Sequence, residues 1–123
     1  YGNFTLWHPE SDIYMLDLST REISKPGINS NRTESFHEWS SNGRWVVFSS
    51  RRDDGLYTRP YFSYFDASGE MHKPFILPQK DPGFYIDFMK SYNVPELITS
   101  KVSLNPRKLE KYGKQAKTIK AGF

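Results

Sequence analysis

Between Ser35 and Leu77 the chain runs through four short strand-like segments, each closed by a turn, and this rhythm confines it to a small antiparallel sheet. Ser35-Phe-His-Glu-Trp39 leads into Ser40-Ser-Asn42-Gly43, an Asn-Gly pair suited to the positive-φ positions of a tight hairpin. Arg44-Trp-Val-Val-Phe-Ser-Ser50 is the strongest strand former, because β-branched and aromatic side chains pack well on a pleated surface. Arg51-Arg-Asp-Asp-Gly55 is a charged turn, Arg59 to Phe65 an aromatic strand, Asp66-Ala-Ser-Gly69 a third turn, and Met71 to Leu77 a last strand. Four strands in 43 residues is the length of one propeller blade.

The upstream part repeats this rhythm incompletely. Phe4-Thr-Leu-Trp7 has β character and is broken by His8-Pro-Glu-Ser11. Asp12 to Leu18 follows with apolar residues on both faces, Tyr14 and Leu16 on one and Ile13 and Met15 on the other, as in a strand held between neighbouring sheets. Ser19-Thr20 reads as a two-residue turn and Arg21 to Lys25 as a short strand ending at Pro26. The polar stretch 27–33 is a loop of the length that often carries function. Beyond Pro78 the spacing predicts a helix over 81–92, with Asp81 as N-cap, Pro82 in the first turn, and Phe84/Phe88 and Tyr85/Met89 four apart. Val94 to Ile98 is expected to start another helical turn. The organisation is thus a partial blade with its connecting loop (1–34), a complete blade (35–78), a helical cap (79–102) and a basic flexible tail (103–123).

Composition agrees with a β-rich chain. Hydrophobic residues make up 37%, below the usual ~45%, but 9 Phe, 8 Tyr and 3 Trp supply large rings for a core. The absence of cysteine excludes disulfides, thiolate chemistry and Cys-ligated zinc. No apolar run reaches the ~18 residues of a membrane span, so no transmembrane segment is expected. Residues 107–123 hold six Lys/Arg against Glu110, a charge of +5, so residues 1–106 carry −2 of the overall +3. The basicity is a terminal feature, read as a solvated end and not as a nucleic-acid interface.

The run from Trp39-Ser40 through Gly43, Phe48 and Ser50 to Gly55 resembles the WD-like repeat of the TolB family, with these six residues at matching offsets. Asp12-Ile-Tyr-Met-Leu-Asp17 with Glu22 is similar to the end of the preceding repeat. The sequence departs from the pattern where Ser41-Asn42 stands for Pro-Asp, where Glu38 or His37 stands for Pro, and in the longer, aromatic stretch Leu56 to Tyr64. The stretch through Leu77, Pro78 and the Phe-rich segment is similar to the C-terminal end of TolB-like proteins of Bacteroidetes. The resemblance implies an all-β fold, one complete and one partial β-propeller blade of antiparallel four-stranded sheets, with a short C-terminal helical segment. It also implies a periplasmic or outer-membrane-associated protein that acts as a non-enzymatic protein- or peptide-binding scaffold in the cell envelope.

Candidate ligand-binding residues lie around the first hairpin and the charged turn: Arg32, Glu34, His37, Glu38, Arg51, Arg52, Asp53 and Asp54. His37 and Glu38 fall on the innermost strand of the blade, which lines a propeller channel, and their plainer role is packing there. Arg51 to Asp54 could hold a ligand, yet adjacent carboxylates in strand-like geometry point apart and no calcium ladder follows. The plainer reading is a solvated turn with Asp53 or Asp54 bonded back to its own backbone. His8, His37 and His72 lack metal-site spacing, and no nucleophile elbow, phosphate loop or dinucleotide fingerprint occurs, so no metal, cofactor or catalytic residue is expected. The alternative is a propeller accessory domain of an exported hydrolase or peptidase, as in prolyl-oligopeptidase-like enzymes, although the roughly 45 residues after the last strand are too few for a hydrolase domain. Fewer than two blades leave sheet edges uncovered, so the expected partners are the upstream remainder of its own propeller or a second copy, besides an envelope protein or peptide.

Overall fold

The computed structural model describes residues 7–115, so that of the expected strand Phe4 to Trp7 only Trp7 falls within it. β1 (Met15–Leu16) and β2 (Ile23–Ser24) form a two-stranded antiparallel sheet. β3 (Glu34–Trp39), β4 (Trp45–Ser50), β5 (Arg59–Tyr64) and β6 (Phe75–Ile76) form a four-stranded antiparallel sheet in sequence order, open at both edges. Two short helices follow, α1 (Phe84–Asp87) and α2 (Pro106–Gln115). The protein is therefore mostly β, as expected, and its sheets do not close into a barrel.

The β4–β5 register assigns the two faces. Val46↔Ser63, Phe48↔Tyr61 and Ser50↔Arg59 share one face, and Trp45↔Tyr64, Val47↔Phe62 and Ser49↔Pro60 the other. On the first, Val46, Phe48 and Tyr61 join Ile13, Ile28 and Met71 in the buried core. Ile28 comes from the 27–33 loop and plugs this core. Asn29 holds it in place, its Oδ1 accepting from the Ile13 N–H (2.8 Å) and its Nδ2 donating to the Ile13 carbonyl (2.9 Å). Each such fully buried apolar side chain contributes about 1.5–3 kcal/mol.

A bulge in β3 separates two residues that simple alternation would align. The ladder pairs Ser35 with Ser49 and then Glu38 with Val47, with Phe36 between them at φ 50°. Left-handed backbone at a non-glycine costs about 1–2 kcal/mol. The extra residue reverses the parity of the strand. Glu34 therefore faces the core beside Ser50, while Glu38 faces the opposite side beside Val47.

The turns explain several departures from the expected boundaries. In the first hairpin only Gly43 is left-handed (φ 64°), not the Asn-Gly pair, because Ser40 closes the turn: its Oγ donates to Asn42 Oδ1 (2.7 Å) and accepts from the Trp45 N–H (2.9 Å). The β1–β2 connection is wider than Ser19-Thr20. Asp17 Oδ1 accepts from the Ser19 and Thr20 N–H groups, and Arg21 turns the chain at φ 62°. β6 is shorter than Met71 to Leu77 because Pro74 has no N–H to give the ladder; Met71 survives as an isolated bridge to Phe65.

Asp66 organises the β5–β6 turn. Its Oδ1 accepts from Ser68 Oγ (2.6 Å), Ser68 N (2.8 Å) and Glu70 N (3.0 Å), and its Oδ2 lies 2.8 Å from His72 Nε2. These donors, Ser68 Oγ foremost, hold its pKa well below the usual carboxylate range. A depressed folded-state pKa means that the turn keeps its full contribution above the ordinary Asp value of ~4 and loses it only as pH falls through the lower folded value. In a carbon-13 NMR titration the Asp66 carboxyl signal should therefore stay ionised at pH ~3, and a midpoint near 4 would contradict the bonding.

The C-terminal part differs most from expectation. The helix expected over 81–92 is the single turn α1, preceded by an Asx turn in which Asp81 Oδ1 accepts from the Gly83 N–H (2.9 Å). Phe88 leaves helical geometry at ψ 87°, and residues 88–98 contain no helix, including the turn expected at Val94 to Ile98. They run as a strap across the sheet. α2 forms where no element was expected, with Asn105 Oδ1 accepting from the Arg107 N–H (2.9 Å) at its start, and all its residues are exposed.

Candidate functional site

The charged residues singled out in the sequence separate into three groups. In the first, the buried Glu34 carboxylate accepts from Ser30 Oγ (2.7 Å), Ser30 N (2.9 Å), Ser50 Oγ (2.7 Å) and Arg52 Nη2 (3.2 Å). Arg52 also donates through Nε to Ser50 Oγ (2.8 Å) and through Nη2 to the Ile28 carbonyl (2.6 Å), and its guanidinium lies 4.5 Å from the Tyr61 ring centroid. Glu34 and Arg52 are thus structural partners whose hydrogen-bonding groups are engaged within the fold.

The second group is the turn. Asp53 Oδ1 accepts from the Tyr61 hydroxyl (2.5 Å), and burial together with this carboxylate pushes the phenol pKa well up. Asp54 Oδ1 accepts from the Leu56 and Tyr57 N–H groups, so the two neighbouring carboxylates take different partners, although both line one pocket with Arg59 and Tyr85. Arg51 and Arg32 line a small pocket with Trp7, Pro9, Thr33 and Gly55. The third group is dispersed: His37 is exposed in a shallow groove with Met15 and Trp39, and Glu38 lies on the far face. Among the described residues no group of three or more His, Cys, Asp or Glu is placed to hold a metal ion.

That far face carries a feature that no single residue announces. A groove of about 400 Å³ runs over the sheet, walled by Trp45, Phe62, Phe75, Leu77, Leu97 and Ile98. Its rings form a connected ladder, Trp45–Tyr64 at 5.2 Å, Trp45–Phe75 at 6.1 Å and Phe62–Phe75 at 6.0 Å between centroids. Trp45, Tyr64 and Phe75 remain 37%, 39% and 45% exposed, and together they make a contiguous apolar patch on this face.

The strap forms one wall of the groove and is held by polar groups of the sheet. Ser49 Oγ donates to the carbonyls of Asn93 (2.7 Å) and Tyr92 (3.2 Å), and Glu38 Oε2 accepts from the Leu97 N–H (2.5 Å). Thr58 exchanges backbone and hydroxyl hydrogen bonds with Tyr92. At the strap's root the buried Arg59 donates to the carbonyls of Lys90 (2.5 Å), Phe88 (2.9 Å) and Tyr85 (3.3 Å). Arg59, Trp45, Phe62 and Phe75 escaped the sequence reading. The one available signal was a cation inside an otherwise aromatic strand, since a buried arginine needs acceptors nearby.

No helix among the described residues is long and apolar enough to cross a membrane. Comparison with family models, with curated proteins and with solved structures returns no match.

Proposed function

We propose that this chain is a non-enzymatic binding scaffold of the TolB-like propeller kind, acting in the cell envelope, whose aromatic groove takes an extended apolar peptide segment of a partner protein. In this reading β3–β6 is one blade, and the β1–β2 sheet, whose Met15 packs against the same core, belongs to its neighbour. The observation that carries the proposal is the half-exposed ring ladder Trp45–Tyr64–Phe75 beside an extended segment already bound to the same face. The strap supports this reading as a chain without regular structure whose backbone is hydrogen-bonded by Ser49 and Glu38 and whose Leu97 and Ile98 line the groove.

The test is a displayed-peptide selection against the folded chain, followed by affinity measurements with Trp45→Ala. A central aromatic anchor commonly accounts for about 2 kcal/mol or more of binding, so W45A should weaken the selected peptides at least tenfold. Peptides that bind W45A as well as the wild type would overturn the reading. A dimer that W45A dissociates in light scattering would also overturn it, making a second copy the occupant.

A further inference from the structure

We propose that Arg51 and Arg32, with Trp7 and Thr33, form a site for one oxyanion group, phosphate or carboxylate, at the Arg51-to-Gly55 turn. The pocket measures about 100 Å³ and shares no residue with the aromatic groove, so the proposal does not depend on peptide binding there.

Arg51 is the central observation. It is only 7% exposed, its guanidinium carbon sits 4.0 Å from the Trp7 ring centroid, and its Nε is enclosed with no acceptor among the described residues. The neighbouring arginines are better engaged: Arg52 bonds Glu34, Ser50 and Ile28, and Arg59, whose Nε is likewise enclosed without an acceptor, gives both terminal nitrogens to the strap carbonyls. Among the described residues Arg51 has no such set of acceptors, and burial pulls its pKa down. A desolvated guanidinium with an unused donor is costly unless something supplies the acceptor.

The surroundings provide a second cation and limit the size of the ligand. The Arg32 guanidinium lies over Gly55, where a Cβ would stand 3.3 Å from its Cζ and Nη1, so the missing side chain lets Arg32 reach across the turn. Gly55 is also at φ 72°, which a side chain would strain. Asp54, the nearest turn carboxylate, is engaged by the Leu56 and Tyr57 N–H groups. Guanidinium forks match the oxygen geometry of phosphate and carboxylate, and the flat indole of Trp7 holds one fork in place. A volume of about 100 Å³ admits one such group, with any larger remainder of the ligand outside the pocket.

The experiment titrates the full chain with sodium phosphate or sodium acetate, each against sodium chloride at equal ionic strength, following arginine Nε–H signals by NMR. The expected result is a saturable shift of the Arg51 Nε–H with a dissociation constant on the order of 1 mM. Arg51→Lys keeps the charge and removes the fork, and should weaken binding at least about tenfold. Arg32→Gln, at an exposed position that leaves the core intact, should weaken it several-fold and decides the matter if R51K fails to fold. A stronger response to phosphate assigns a phosphate-bearing ligand, and a stronger one to acetate a carboxylate-bearing ligand. Shifts that follow ionic strength alone, or wild-type affinity in R32Q, would overturn the site.

Discussion

Replacing Glu34 with alanine should remove about 3–5 kcal/mol of folding stability, the usual cost of breaking a buried ion pair by deleting one partner. The Glu34 side chain is fully enclosed, and four donors from Ser30, Ser50 and Arg52 converge on it. Without it, Arg52 keeps Ser50 and the Ile28 carbonyl but loses its counter-charge, and the two serine hydroxyls lose their short bonds. Glu34→Gln should be milder, since an amide oxygen in place of Oε1 can still accept from the Ser30 and Ser50 hydroxyls and from Arg52, and only the bond from the Ser30 N–H is replaced by a donor–donor contact. Urea unfolding midpoints should therefore rank wild type above E34Q above E34A. An E34A midpoint equal to that of the wild type would show that the network contributes nothing.

Arg59→Ala should cost about 2–4 kcal/mol, with the loss concentrated in the strap. Arg59 is almost fully buried among Tyr57, Tyr85 and Phe88, 5.1 to 5.8 Å from their ring centroids, and it is the common donor to three carbonyls that no helix satisfies. Asp54 stands 3.9 Å away and adds a weak ion pair. Hydrogen exchange in R59A should accelerate across residues 84–98, while amides of β4 keep their protection, because the core of Ile13, Ile28, Val46 and Phe48 contains no residue of the strap. Protection lost evenly over the sheet would mean that the strap and the core unfold as one unit. Arg59→Lys should not rescue, because one ammonium cannot reach all three carbonyls in the geometry of a guanidinium.

These effects show where sequence reasoning succeeds and where it stops. β4 was legible because Trp45 to Phe48 combine strong β propensity with burial, and the turns were legible because Gly43, Asp54 and Asp66 do local chemistry. Serines 40 and 50 both bond turn backbone. The eight charged candidates could not be grouped from the sequence. Glu34 and Glu38, four apart, belong on one face by strand alternation, and only the bulge at Phe36 sends them to opposite ones. The helix expected at 81–92 failed for a similar reason: its side-chain spacing was helical, but Arg59 offers tertiary donors to the carbonyls that a helix would have used.

Sequence alone determined the strands of the four-stranded sheet, their order along the chain and the chemistry of their turns, because these depend on propensity and on hydrogen bonds within a few residues. Tertiary structure decided which carboxylate is buried, which arginine is engaged and which is left with an unused donor. It also decided that one sheet face is sealed by Ile13 and Ile28 while the other stays half open beneath the strap. Those outcomes turn on contacts between residues such as Glu38 and Leu97, 59 positions apart, whose energies no local pattern encodes.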